Sequence, residues 1–349
     1  MNDSATKKQP PSYKPLVFLG VIFIAVSIAA FRLSRTKKIN IPPPTTSLNV
    51  FPDFDPDSIR MIEISGRGDR TVLEQDGETW IVRTLYGYPA DPVRVRDSLR
   101  DLSDVRVSEF IGGGTILPDP FGLGPQQDVI SLRVFGDGEQ LLAEATIGEP
   151  VKPMASPLSK YAALSWHVRT NGGPIVRIDR PLASLASSST RWIKQDLLRI
   201  SPKDIRKVEL RTGTGEPVRI ERHGGTFEPA EGDGTEEVDL SGWRRLTEAL
   251  GYLRCDGIAD PSLDDATLGF TAGCTCEVTT FSGNTYKIAI GSPAADGTSH
   301  YMRIRSEQDD TSAGRLEGWT YLVNASTTER ICVSRSDLVR PASPGEDSH

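Results

Sequence analysis

Apolar and polar positions alternate in short runs along most of the chain, and the runs come twice. "DFDPDSIRMIEI", Asp53 to Ile64, is echoed by "RISPKDIRKVEL", Arg199 to Leu210, 146 residues later. Pro56 falls on Pro202, Ile59 on Ile205, Arg60 on Arg206 and Glu63 on Glu209. A repeat at fixed offset is the mark of a duplicated structural unit. Next, "TVLEQDGETW" from Thr71 pairs with "VRIERHGGTF" from Val218, at an offset of 147. Each reads as two alternating strands around a turn, at Asp76-Gly77 and at His223-Gly224, which predicts a hairpin.

A change of period follows in both halves. Val95, Leu99 and Leu102 recur with helical spacing, as do Trp243, Leu246 and Leu250. Asp91 and Asp239 stand where N-caps belong. Each helix reads as a short amphipathic lid on a sheet. Strand-like runs resume with "DVISLRVFG" and "CEVTTFSG", continue to "ATIGEP" and "IAIGSP", and close on further strand pairs. The glycine-rich "DPFGLGPQQD" lies between helix and strand, and its Phe121-Gly122-Leu123 falls on Leu268-Gly269-Phe270. A phosphate cradle opens a helix, usually with Lys-Ser/Thr after its glycines. Here a strand follows and G-K-[ST] occurs nowhere, so these glycines are punctuation. Each half reads β-β-α-β-β-β-β. The expected fold is α+β: two tandem, mostly antiparallel repeats over 53–198 and 199–335, each with one covering helix.

One apolar run breaks the pattern. Pro15 to Phe31 carries no charge, and Leu33 with flanking Lys and Arg stems extends it to a transmembrane anchor over 15–33. A cleaved signal peptide, with "SIA" from Ser27 as its processing site, is the rival reading. Residues 1–14 then form a cytoplasmic tail, 34–52 a Pro-rich tether and 336–349 a disordered tail. The net charge is −7, yet residues 1–38 hold seven Lys and Arg against one Asp. The rest of the chain is therefore more acidic than the whole, which argues against nucleic acid as a partner.

Together, "SIRMIEI", "VLEQDGETWIV", "PADPVRVRDSLRDL", "DPFGLGPQ", "ISLRVF" and "ATIGEP", followed by a second pass in the same order, resemble the bacterial family called "domain of unknown function 4340". The resemblance covers roughly Asp53 to Ser334. It implies a membrane-anchored protein with its body outside the inner membrane, in some members an accessory subunit of ABC-type transport systems of the gliding-motility kind. It brings no catalytic residues and no cofactor. The second half departs from the pattern where Phe227 replaces Trp and "LGFTAG" lacks the proline.

Chemistry-bearing residues are sparse. Cys255, Cys274, Cys276 and Cys332 all lie in the second half. Cys274 and Cys276 share one face of a strand, so neither bridges the other readily, but each can bridge Cys255 or Cys332. One or two disulfides is the leading reading, buried thiols the next, and a four-Cys zinc site a distant third without paired C-x-x-C. His167, His223 and His300 stand in strands or turns, outside H-E-x-x-H, H-x-H or G-x-S-x-G. The acid pairs Asp264-Asp265 and Asp309-Asp310 read as caps or solvated loops. Among the tryptophans, Trp192 and Trp319 are the candidates for an interface.

The expectation is a non-catalytic, single-pass, anchored envelope protein, an accessory or scaffold subunit that binds protein partners. A solute- or glycan-binding module using a cleft between the halves is the alternative; it requires aromatic side chains gathered in one groove. An unrecognised enzyme comes third and requires perturbed acids or histidines converging in a cleft.

Overall fold

The computed structural model describes residues 48–51, 54–113, 118–124, 128–151, 164–180, 182, 184–230, 235–307 and 316–342. The expected anchor at 15–33, most of the tether and the final residues lie outside these, as do Asp53 and Asp309-Asp310. No helix among the described residues is long and apolar enough to cross a membrane.

The first half lays down β1 (Met61–Gly66), β2 (Asp69–Asp76), β3 (Thr79–Val82) and β4 (Tyr88–Pro89). Helix α1 (Pro92–Asp104) follows, then β5 (Glu109–Gly112), β6 (Ile130–Phe135), β7 (Leu141–Val151), β8 (Ser165–Thr170) and β9 (Ile175–Ile178). These nine strands form one sheet in the order β4-β3-β2-β1-β6-β7-β8-β9-β5. The second half starts with β10 (Asp196–Leu198), β11 (Ile205–Thr212), β12 (Val218–His223), β13 (Thr226–Pro229) and β14 (Glu236–Val238). Helix α2 (Leu240–Gly251) leads to β15 (Leu253–Arg254), β16 (Gly257–Ile258) and α3 (Asp265–Leu268). The chain continues through β17 (Cys274–Thr280), β18 (Thr285–Pro293), β19 (Ser299–Ser306) and β20 (Tyr321–Asn324). It ends in α4 (Ala325–Ile331), α5 (Arg335–Leu338) and β21 (Val339–Pro341). The second sheet has eight strands in the order β13-β12-β11-β17-β18-β19-β20-β16. Without β4, the two orders match strand for strand, and all pairs are antiparallel.

Side-chain alternation explains the sheets. In β17, Cys274, Cys276, Val278 and Thr280 are buried while the residues between them face outward. The outward faces carry ion pairs at matching places. Glu63 meets Arg70 and Arg133 at 2.6 and 3.3 Å, and Glu209 meets Arg219 and Lys207 at 2.9 and 3.6 Å. The hairpins turn where expected, with Gly77 and Gly224 at positive φ, 61° and 60°. Both helices are capped as expected. Asp91 accepts from the Val93 N–H at 3.0 Å, and Asp239 from the Ser241 and Gly242 N–H groups. Hydrogen bonds from the Ser241 hydroxyl and the Gly242 amide hold the Asp239 carboxyl below the usual carboxylate range. Val95 and Leu102 face the core, with Leu99 packed against it, as do Trp243, Leu246 and Leu250.

The structure corrects four expectations. First, each sheet holds more strands than the six per half read from the pattern. β5, the strand after α1, and β16, which follows α2 and β15, cross to the far edge and pair with β9 and β20. Second, the second half has three short helices besides α2, so "one covering helix" undercounts it.

Third, the repeat boundaries move. The Val50 N–H donates to the Val105 carbonyl and the Val107 N–H to the Leu48 carbonyl, both at 2.9 Å. Asn49 bridges Arg106. In the second half, the Cys255 N–H donates to the Gln195 carbonyl at 2.9 Å, and Asp196 pairs with Arg254. Residues 48–51 are thus not the end of a tether but the counterpart of β10, so the repeats begin at Leu48 and Gln195. Fourth, the described part of the expected disordered tail is ordered. Leu338 and Val339 are 1% and 7% exposed, and β21 pairs with β14. Burial of those two apolar side chains supplies the driving force that the polar composition beyond them conceals.

Each repeat closes on its own helix. The Asp91 N–H donates to the Trp192 carbonyl at 2.7 Å, and the Asp239 N–H to the Leu338 carbonyl at 2.8 Å. A contiguous apolar core, containing Leu132 and Trp192 as well as Val208 and Tyr321, runs through both repeats. The described residues from Leu48 to Ala342 accordingly fall in one compact unit.

Candidate functional site

A cluster of charged and polar side chains is built where β10 pairs with β15. α2 must end at Gly251 for the chain to enter β15, and Tyr252 sits at that exit, half exposed. The pairing sets Asp196 against Arg254. Arg254 donates from Nη2 to Gln195 Oε1 at 2.6 Å and lies 3.3 Å from Asp196 through Nε. Arg199 bonds the other oxygen of Asp196, and that bond holds its guanidinium still more firmly protonated. The guanidinium carbons of Arg199 and Arg254 lie 5.1 and 5.6 Å from the Tyr252 ring centre, within cation–π range. Beside them opens a cavity of about 420 Å³. Its other wall comes from the start of α1, with Asp91 and Arg94, and from Lys194. Arg94 is 3.8 Å from Asp91, whose carboxylate already caps its helix.

The aromatic residues lie elsewhere. Trp319 packs edge-on against Tyr88 at 4.9 Å, and Tyr88 meets Tyr321 at 6.2 Å, so the first sheet's edge is joined to the second repeat by rings. Trp319 is half-buried in this contact. Trp192 is 1% exposed and donates from Nε1 to the Ala186 carbonyl at 2.8 Å. It is a closing residue of the first repeat and offers no surface to a partner, which corrects its assignment as an interface residue. Tyr252 is the one aromatic lining the cavity beside β15. The gathering of aromatic rings that a glycan groove requires is not found there.

The cysteines divide. Cys274 and Cys332 form a disulfide, Cα atoms 5.8 Å apart and 58 residues apart in sequence, tying the start of β17 to the end of α4. This overturns the zinc reading, since two of its four thiolates are consumed. Cys276 lies on the same face of β17 but is sealed in the core, and burial pushes its thiol up to about 12. Cys255 is a buried thiol as well. Neither is poised as a nucleophile.

The histidines serve local structure. His167 Nδ1 lies 3.0 Å from the Phe121 carbonyl, with its ring edge-on to Phe121. His300 Nδ1 lies 3.3 Å from the Gly291 carbonyl, and His223 is exposed. Asp264 caps α3 by accepting from the Thr267 N–H at 2.8 Å, and Asp265 pairs with Arg303. Among the described residues no three His, Cys, Asp or Glu side chains gather to hold a metal. The glycine loop is punctuation twice over. Gly122 and Gly269 end single helical turns at φ +71° and +68°, where only glycine is unstrained. Each turn then crosses a strand glycine, Gly148 or Gly291, where a Cβ would fall 2.8 or 2.0 Å from a turn carbonyl.

Sequence reasoning missed the Asp196–Tyr252–Arg254 cluster, whose members are 56 residues apart at the nearest approach across the pair. A signal was available in the repeat itself. Leu48, Asn49, Asp104 and Arg106 occupy the corresponding places in the first repeat, and three of the four differ in kind.

The fold defines a duplicated, mostly antiparallel α+β module. The family profile described as "Domain of unknown function (DUF4340)" matches residues 80–273, from β3 to the threshold of β17. The chain belongs to that family. No curated protein matches it, and no solved structure does.

Proposed function

We propose that this protein is a non-catalytic, membrane-anchored subunit whose body lies outside the inner membrane and binds protein partners, as an accessory or scaffold of an ABC-type transport system. The observation that carries this reading is the Cys274–Cys332 disulfide, because such bonds persist outside the reducing cytoplasm. The uncharged run from Pro15 to Phe31 supplies the means of anchoring, at a length of 17 residues within the range for a spanning helix. Both sheets turn charged outer faces to solvent, which suits a soluble body standing clear of the lipid.

Two measurements test it. Protease added to spheroplasts should digest the body while residues 1–14 stay protected, and crosslinking of the full-length chain in membranes should recover transporter subunits. Protection of the body from external protease would reverse the topology. Recovery of the chain alone would remove the accessory role.

A further inference from the structure

We propose that the cavity beside β10 and β15 is a docking site for an acidic peptide segment of a protein partner, a proposal that rests on the partner-binding reading above. The first observation is an internal control. The fold builds the same strand pair twice, at Asn49–Arg106 and at Asp196–Arg254. Only the second carries the charged cluster: Gln195 stands for Leu48, Asp196 for Asn49 and Tyr252 for Asp104. The strand pair therefore does not require these side chains, since the first repeat forms it without them.

The second observation is charge. Three cations, Arg94, Lys194 and Arg254, line the cavity with two acids, Asp91 and Asp196, and Arg199 reaches Asp196 and Tyr252 beside it. Asp91 is engaged in capping α1, and Asp196 is shared by two arginines. Positive charge is in excess on a chain whose net charge is −7. The third is preorganisation. Asp196 and Gln195 fix Arg254, while Tyr252 underlies both guanidinium groups, so little side-chain freedom remains to be lost on binding. Guanidinium groups held in this way recognise carboxylates through paired N–H donors. Arg94 and Lys194 come from the first repeat and Arg254 from the second, so an occupant bridges the two.

The test uses the full-length chain in detergent and a capped tri-glutamate peptide as probe, titrated by calorimetry at low ionic strength. Arg94→Glu with Lys194→Glu reverses two exposed charges outside any core contact. The peptide should bind the unaltered chain and bind the double variant at least ten-fold more weakly. Arg106→Glu, at the counterpart of Arg254, should leave binding unchanged. Absence of binding to the unaltered chain, or equal binding to the double variant, overturns the proposal. So does binding of inorganic phosphate in place of the peptide. Crosslinked neighbours that persist in the double variant sink this site alone, whereas their absence from the unaltered chain sinks the partner reading.

Discussion

At the scale of single residues, the disulfide is the feature with the largest expected effect. It joins the second sheet to α4, and α4 packs on α2. The first repeat has Ile130 and Ala186 at the corresponding places and keeps its closing segment without a covalent link. There, the Thr71 hydroxyl donates to the Ser187 carbonyl at 2.7 Å, and the Trp192 indole N–H to Ala186. The two repeats thus solve one problem by different chemistry. Cys332→Ser should lower stability by about 2–4 kcal/mol, the usual cost of losing a native crosslink. Urea unfolding measures it, and added reductant should bring the unaltered chain to the same midpoint while leaving the variant where it is. A reductant-insensitive midpoint for the unaltered chain would contradict the role given to the bond.

At the scale of elements, the closing segments decide whether each repeat is complete. α5 and β21 bring Leu338 to the start of α2 and Val339 against Val238. Replacing Leu338, which is 1% exposed, by Asp buries an unpaired charge and breaks that closure. The expected loss exceeds about 3 kcal/mol, and hydrogen exchange should quicken at α2 and α4 before it does in β1 or β6. Uniform exchange across both sheets would show the closure to be global instead. This is also the scale at which the sequence was most and least legible. Strands of six or more residues, the hairpin turns and both capped helices stand out because their periods are long enough to register. The pairs Leu48–Val50 with Val105–Val107 and β10 with β15 involve two or three residues each, too few for any period to declare itself. β5 and β16 are short for the same reason, and their partners are fixed by a crossing over the sheet that no local pattern encodes. The charged cluster at Tyr252 looked like ordinary solvated surface because its parts meet only through those short pairs.

At the scale of the molecule, the two repeats share one apolar core and are joined by Tyr88, Trp319 and Tyr321. Shared burial couples their unfolding, so a single cooperative transition is expected for the whole body. Tyr88→Ala removes both ring contacts and leaves a void at the joint. It should separate the transition into two in a calorimetric scan, the half containing the disulfide melting later. One unbroken transition in the variant would mean that the rest of the core suffices for coupling.

A tandem copy carries a hazard of its own: strands of one sheet can pair with the sister strands of the other. The closure of Asp91 by Trp192 limits this through timing. A polypeptide made from its N-terminus completes the first sheet, its helix and its closing segment before the first strand of the second repeat exists. By the time β11 emerges, its look-alike β1 is already paired on both sides, with β2 and β6. Order of synthesis thus protects the duplicated fold from exchanging parts with itself.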